Sequence, residues 1–246
     1  MDANTAKHTR AKTIITIRHG QQDRSGETYD DSVGGPLSAL GRDQVRTSRG
    51  LLKPILHEMG GLTITACITS DWERATETAK IFTEGSIAPE EVIEHPGLRE
   101  RNLGDLDHSQ QHTDPAFNRF KKDALCAVPP GGESLEMLLQ GRLREPIDIA
   151  HHLGASTGGV VVISAHGGVN HALIREFTGM SNRQLTNGPL VEGSDLVPLQ
   201  KPGRIKNGQM HIYTLSNPDA PFYDVRTVGI VDDHVFDGGI VSVDRG

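Results

Sequence analysis

Aromatic residues are scarce, at 4% of 246 residues, with one Trp, three Tyr and six Phe. A core must therefore rest on Val, Ile, Leu and Ala. Cysteine is almost missing, with only Cys67 and Cys126. Two cysteines cannot build a disulfide scaffold, and their spacing is not that of a zinc site. They read as reduced, packed thiols. A basic excess is missing too. The formal net charge is -7 at pH 7, which argues against general binding to nucleic acid or a membrane surface. A few converging arginines can still make a local anion pocket. No apolar run has the length of a membrane span. The opening "MDANTAKHTRAKT" has no apolar stretch of the signal-peptide kind, so a cytoplasmic protein is expected. The 12 histidines raise a metal-dependent hydrolase, but none lies in a HExxH pattern and His151-His152 read as a solvated helix end. No metal or cofactor is expected.

What is present is an alternation of strands and helices. Residues 1–12 read as a flexible tail, and 13–246 as a single domain. "TIITI" (13–17) has the β-branched content of a buried strand. "GETYDDSVGGP" (26–36) is a loop. A helical pattern starts at Ser38, with Leu40, Val45, Leu51 and Leu52 among its apolar positions, and Pro54 should break or kink it. "LTITACIT" (62–69) is a second strand. It runs into a helix over "SDWERATETAKIF", where Ser70 and Glu73 have capping-box spacing. "EVIEH" is a candidate strand. "PPGGES" (129–134) leads into a helix reaching about His152. "GVVVISAHGG" (159–168) is the clearest strand, followed by the helix "VNHALIREFTG". "QMHIYTL" and "DVRTVGIV" are late strands, and 180–208 reads as long loops. The pattern predicts an α/β three-layer sandwich, with a mostly parallel central sheet and helices on both faces.

Three strand-to-helix junctions carry cationic or titratable groups: Arg18 and His19, Arg74 one helical turn in, and His166. In open α/β sheets ligands bind at the carboxyl ends of the strands, where helix N-termini offer free N–H groups to an anion. Taken singly, Arg18 is more often a surface charge, and His19 or His166 a satisfied loop histidine. Arg74, between Glu73 and Glu77, could be an exposed ion-pair partner. Their equivalent placement favours a joint reading as a metal-free phosphate pocket.

These segments resemble the histidine phosphatase superfamily, in its phosphoglycerate-mutase-like branch, from Thr13 to about His234. "RHG" (18–20) is similar to the family's nucleophile signature, and "PLSALGRDQV" (36–45) to the segment that follows it. "SDWERATETA" (70–79) resembles the second arginine motif, "LRERNLGD" (98–105) the acid-bearing loop, "PPGGES" the pre-helix loop and "SAHGGVNHALI" (164–174) the second histidine motif. The resemblance implies a phosphatase acting on a phosphate monoester through a phosphohistidine. His19 would attack phosphorus as a neutral imidazole. Arg18, Arg74 and His166 would hold the phosphoryl oxygens. Glu100 would serve as acid and then base, the other duty open to it being a pair with Arg99 or Arg101. Gly20, Gln22, Ser25, Arg101 and Gly167 are the expected substrate contacts, Gly20 letting the backbone approach the phosphate. Many family members carry Glu-Thr after "RHG" and Asn six residues past the histidine, where this chain has Gln21, Gln22 and Ser25. With the acidic loop "SGETYDDSVGGP", these differences count against a phosphoglycerate substrate. A phosphoglycerate-type mutase and a non-catalytic phospho-ligand binding module are the alternatives. The expected partner is a small phosphorylated substrate or a phosphopeptide, not nucleic acid or membrane. A homo-oligomer is left open.

Overall fold

The β-branched run at Thr13–Arg18 forms strand β1, with its first five residues buried. This computed structural model describes residues 10–24, 35–106, 128–180, 205–217, 219–231 and 234–241. Strand β4 (Val160–Ala165) is buried throughout, and β2 (Ile64–Thr69) everywhere but Thr65. Strands this apolar need cover on both faces. Helices α1 (Ala39–Glu58) and α2 (Glu73–Thr83) cover one face, packing Val45, Leu52 and Phe82 against Ile15, Ile17 and Val162. Helices α3 (Leu135–Gln140), α4 (Arg144–Thr157) and α5 (Gly167–Thr178) cover the other, packing Leu138, Ile147 and Phe177 against Ile14 and Ile163. The three-layer sandwich expected from the sequence is the observed architecture.

The sheet is completed by β3 (Ile93–Glu94), β5 (Met210–Thr214), β6 (Asp224–Val231) and β7 (His234–Val241), in the order β3-β2-β4-β1-β5-β6-β7. Strands β1 to β4 are mutually parallel, whereas the β1–β5, β5–β6 and β6–β7 pairs are antiparallel. Five strands thus share one direction and two oppose it. Register matters most for function. Arg18 lies level with Ala165, and Thr69 with Ser164, so the residues after all three strands emerge side by side.

Several sequence expectations change. Helix α1 runs on through Pro54 to Glu58. Ile55 and Leu56 beyond it are buried, and that burial offsets the ~3 kcal/mol of an internal proline. Leu40, counted among the apolar positions, is 55% exposed. The helix expected to end near His152 is two helices, α3 and α4. The second continues to Thr157, where Gly158 takes the left-handed conformation at φ 68° and ends it. The end of the expected tail is docked: Ala11 is fully buried and Arg10 donates to the Ala220 carbonyl at 2.7 Å. His151 is not a solvated helix end, because its ring packs against Phe177 and Tyr223. Cys67 is buried as expected, while Cys126 lies outside the described residues. No described helix is long and apolar enough to cross a membrane.

Candidate active site

The strand ends build the site. Beyond the last ladder pair, the His19 N–H donates to the Ala165 carbonyl and the Ser70 N–H to Ser164, each at 3.0 Å. These bonds hold three consecutive exits in register. The rings of His19 and His166 lie 5.1 Å apart, tilted by 60°.

His19 is buried. Its Nδ1 lies 2.7 Å from the Gly20 carbonyl, an acceptor, so Nδ1 carries the proton. Arg74 Nε donates to His19 Nε2 at 3.3 Å. A guanidinium only donates, so Nε2 holds a lone pair. Burial lowers the His19 pKa well below its ordinary value, and the Arg18 and Arg74 charges add to this. The result is a neutral imidazole whose basic nitrogen faces an arginine.

Arg74 is 4% exposed. Its guanidinium carbon sits 4.6 Å from the Trp72 ring centre, a cation–π contact that fixes its plane. Its burial rules out the exposed ion pair considered from sequence. Glu77 instead accepts from Arg42 Nε at 2.5 Å and from the Leu37 N–H at 2.9 Å. Arg18, at the end of β1, donates through Nη1 to the Ile205 carbonyl.

His166 is fully buried, with Nε2 2.9 Å from Ser70 Oγ and its ring edge-on to Trp72 at 4.9 Å. Its Nδ1 has no hydrogen-bond partner among the described residues. Burial, then His19, Arg74 and Arg18, lowers its pKa well below the ordinary value. Ser70 was expected to cap α2. It does not: Trp72 is the N-cap residue and no side-chain cap bond forms. The Ser70 hydroxyl accepts from the Trp72 N–H at 3.3 Å and meets His166 instead.

The Glu100 carboxylate is drawn to the start of α5. Oε1 accepts from the Arg101 N–H at 2.8 Å and the Gly168 N–H at 3.0 Å, and Oε2 lies 3.1 Å from the same Gly168 nitrogen. Arg99 is not its partner, since it forms a bidentate pair with Asp71 at 2.5–3.0 Å. Gly167 marks the convergence. A Cβ there would stand 3.6 Å from Glu100 Oε2 and 3.7 Å from Arg18 Cζ. At Gly168 it would stand only 2.6 Å from Glu100 Oε1, so this glycine gives the carboxylate its room.

The structure brings His19, Arg18, Arg74, His166, Glu100 and Gly167 to one place. Arg101 supplies its backbone N–H to Glu100. Gln22 is buried and bridges to Leu37. Ser25 lies outside the described residues. Gly20 has a packing requirement that the sequence did not show. Its N–H donates to Thr78 Oγ1 at 3.2 Å, and a Cβ would stand 2.3 Å from the Gly41 carbonyl. Its missing side chain lets the start of α1 pack against the loop. Sequence reasoning missed Ser70, Trp72 and Gly168 as site residues. Only the doubled glycine after His166 gave a readable signal.

A family model for the histidine phosphatase superfamily (branch 1) matches residues 14–196. The chain belongs to this superfamily. Among curated histidine phosphatase relatives, the 2,3-bisphosphoglycerate-dependent phosphoglycerate mutase of Bartonella henselae is 29% identical over 196 residues, 76% of this chain and 91% of that one. The enzyme of the same name numbered 2 in Gloeobacter violaceus is 27% identical over 181 residues, 70% of this chain and 78% of that one. Among solved structures, mycobacterial glucosyl-3-phosphoglycerate phosphatase with inorganic phosphate aligns with a TM-score of 0.63 at 24% identity, covering 87% of this chain and 95% of that one. A structure described as mycobacterial hydrolase 2 aligns at 0.61 and 26%, covering 89% of each. Histidine phosphatase superfamily members of both kinds, hydrolase and mutase, are thus similar to this chain.

Proposed function

We propose that the protein is a phosphatase that hydrolyses a phosphate monoester through a phosphohistidine on His19, without a metal ion. One observation carries this reading: the lone pair of a neutral, buried imidazole faces a guanidinium, with a second imidazole nitrogen beside it that lacks a partner among the described residues. An incoming phosphoryl group takes the Arg74 and Arg18 donors, and His166 contributes a further donor, so charge on the oxygens is met as it develops. His19 Nε2 forms the N–P bond while the P–O bond to the leaving group breaks, and Glu100 gives its proton to the departing oxygen. Water then attacks phosphorus, its proton passes to Glu100, and the N–P bond breaks to release orthophosphate. His19 and Glu100 return to their starting states. The substrate class is a small phosphorylated molecule or a phosphopeptide, met in the cytoplasm.

Rapid quench with a labelled aryl phosphate tests the nucleophile. The parent should give an acid-labile, base-stable label that maps to His19, and His19→Ala should give none. Label on a serine or carboxylate, or undiminished labelling of His19→Ala, rejects the mechanism. A phosphoglycerate-type mutase is the second reading, favoured by the names of the curated relatives. It requires phosphoryl transfer between the two positions of glycerate in place of orthophosphate release, and assaying both products from phosphoglycerate separates the two.

A further inference from the structure

Arg142 lies between α3 and α4, and its side chain is 27% exposed. Nothing in the chemistry above uses it, yet its donors are engaged in a pattern. Nη1 donates to the carbonyls of Gly97 at 2.8 Å and Arg99 at 2.6 Å. Nη2 donates to the Glu100 carbonyl at 2.8 Å and to Glu133 Oε1 at 2.7 Å. Nε reaches Glu133 Oε2 at 3.4 Å. Glu133 in turn holds Asn102 at both backbone atoms. Its Oε1 accepts the Asn102 N–H, and its own N–H donates to the Asn102 carbonyl, each at 2.9 Å. Backbone groups on both sides of Glu100, and its own carbonyl, thus end on one ion pair. Gly97 is pressed against the same residue, since a Cβ there would stand 2.3 Å from the Arg142 carbonyl oxygen.

Such a pair is weak evidence for stability, because replacing a half-buried ion pair with packed apolar groups is often neutral. Its value is geometric. A planar guanidinium that bonds three carbonyls and a carboxylate has one orientation. That orientation fixes the peptide planes from Gly97 to Asn102. With the backbone of Glu100 fixed, its carboxylate reaches the Gly168 and Arg101 amides.

We propose that Arg142, braced by Glu133, is a positioning residue for Glu100, setting proton transfer rather than phosphate capture. The proposal rests on the phosphatase reading. Its test therefore pairs a measurement of the loop with a measurement of chemistry. In Arg142→Ala, amide hydrogen exchange across 97–102 should rise at least ~10-fold while β4 stays protected. Turnover of an alkyl phosphate, which needs the acid, should fall about 100-fold, as for a misplaced group. The burst from an aryl phosphate with a good leaving group should fall far less. Combining Arg142→Ala with Glu100→Gln should cost little more than Glu100→Gln alone. Arg142→Lys keeps the charge without the planar donor set and should show the same selectivity more weakly, which secures the test if the alanine variant folds poorly. Arg144→Ala, which removes a pair with Glu176, is the control. Unchanged exchange across 97–102 overturns the proposal whatever the activity. Loosened exchange with equal losses on alkyl and aryl substrates also overturns it. A parent protein inactive on both substrates fells the phosphatase reading, and exchange alone then decides whether Arg142 holds Glu100.

Discussion

Gly168→Ala should separate Glu100 from the rest of the site without substituting a histidine or an arginine. The added Cβ would stand 2.6 Å from Glu100 Oε1, 3.3 Å from Arg101 Cβ and 3.5 Å from Glu100 Cδ. The nearest atom is the free end of a flexible side chain, so the carboxylate swings away and α5 stays put. Alanine gains ~1 kcal/mol of helix propensity over glycine. Losing an amide-to-carboxylate bond costs ~1.5–3 kcal/mol, at the low end where water can replace it. The balance is about 1 kcal/mol or less of destabilisation, or ~2–4 °C in melting temperature for a chain of this size. Catalysis should lose far more, because a positioned acid contributes ~10²–10⁴-fold. Steady-state turnover of an alkyl phosphate should fall within that range, while rapid quench with an activated aryl phosphate still shows phosphorylation of His19. Normal alkyl turnover in a folded Gly168→Ala protein would refute the placement of the acid. A collapse in melting temperature with unchanged turnover per folded molecule would make the contact structural.

Arg74→Ala should lower turnover by ~10²–10³ with a small change in thermal stability; a sharp fall in the melt with full activity would make Arg74 structural. Activity on an aryl phosphate should survive exhaustive chelation, since arginine charges and a helix N-terminus meet the phosphoryl oxygens; loss with EDTA and recovery with one divalent ion would overturn this. Stability should fall as pH drops through about 6.5. His19, His166 and His211 are held neutral in the fold, His211 by burial that pushes its pKa down to about 3, whereas the unfolded chain takes up protons near 6.5. Each contributes stability that is full above that pH and lost below it, so melts at pH 5 should lie below those at pH 7.5; equal melts would show that the folded histidines protonate freely.

Strand ends were the legible part of the site. An apolar run closing in His-Gly at 19–20 and again at 166–167 marks where chain direction changes and charge can gather. The parallel register of β1 and β4 then does the rest. What the sequence could not reveal depends on partners distant along the chain. Ser70 has capping spacing, and only the nearness of His166, 96 positions on, shows that its hydroxyl is spent elsewhere. Gly20 is required by Gly41, a contact that no local pattern encodes. Pro54 reads as a breaker, and only the burial of Ile55 and Leu56 explains its tolerance. Strand β7 escaped notice because "HVFDGGIV" carries two glycines and an aspartate, all poor strand formers. Its pairing with β6 decides its conformation.

The indole of Trp72 is the only one in the chain, and it touches both Arg74 and His166. Any oxyanion that draws the Arg74 guanidinium toward itself changes the field over that ring. The protein therefore carries an intrinsic optical probe at the proposed phosphate pocket. Tryptophan emission reads one location, with no second emitter to subtract. Candidate phosphorylated metabolites and phosphopeptides can be ranked by titration before any is turned over, and non-hydrolysable mimics such as vanadate can be ranked on the same scale.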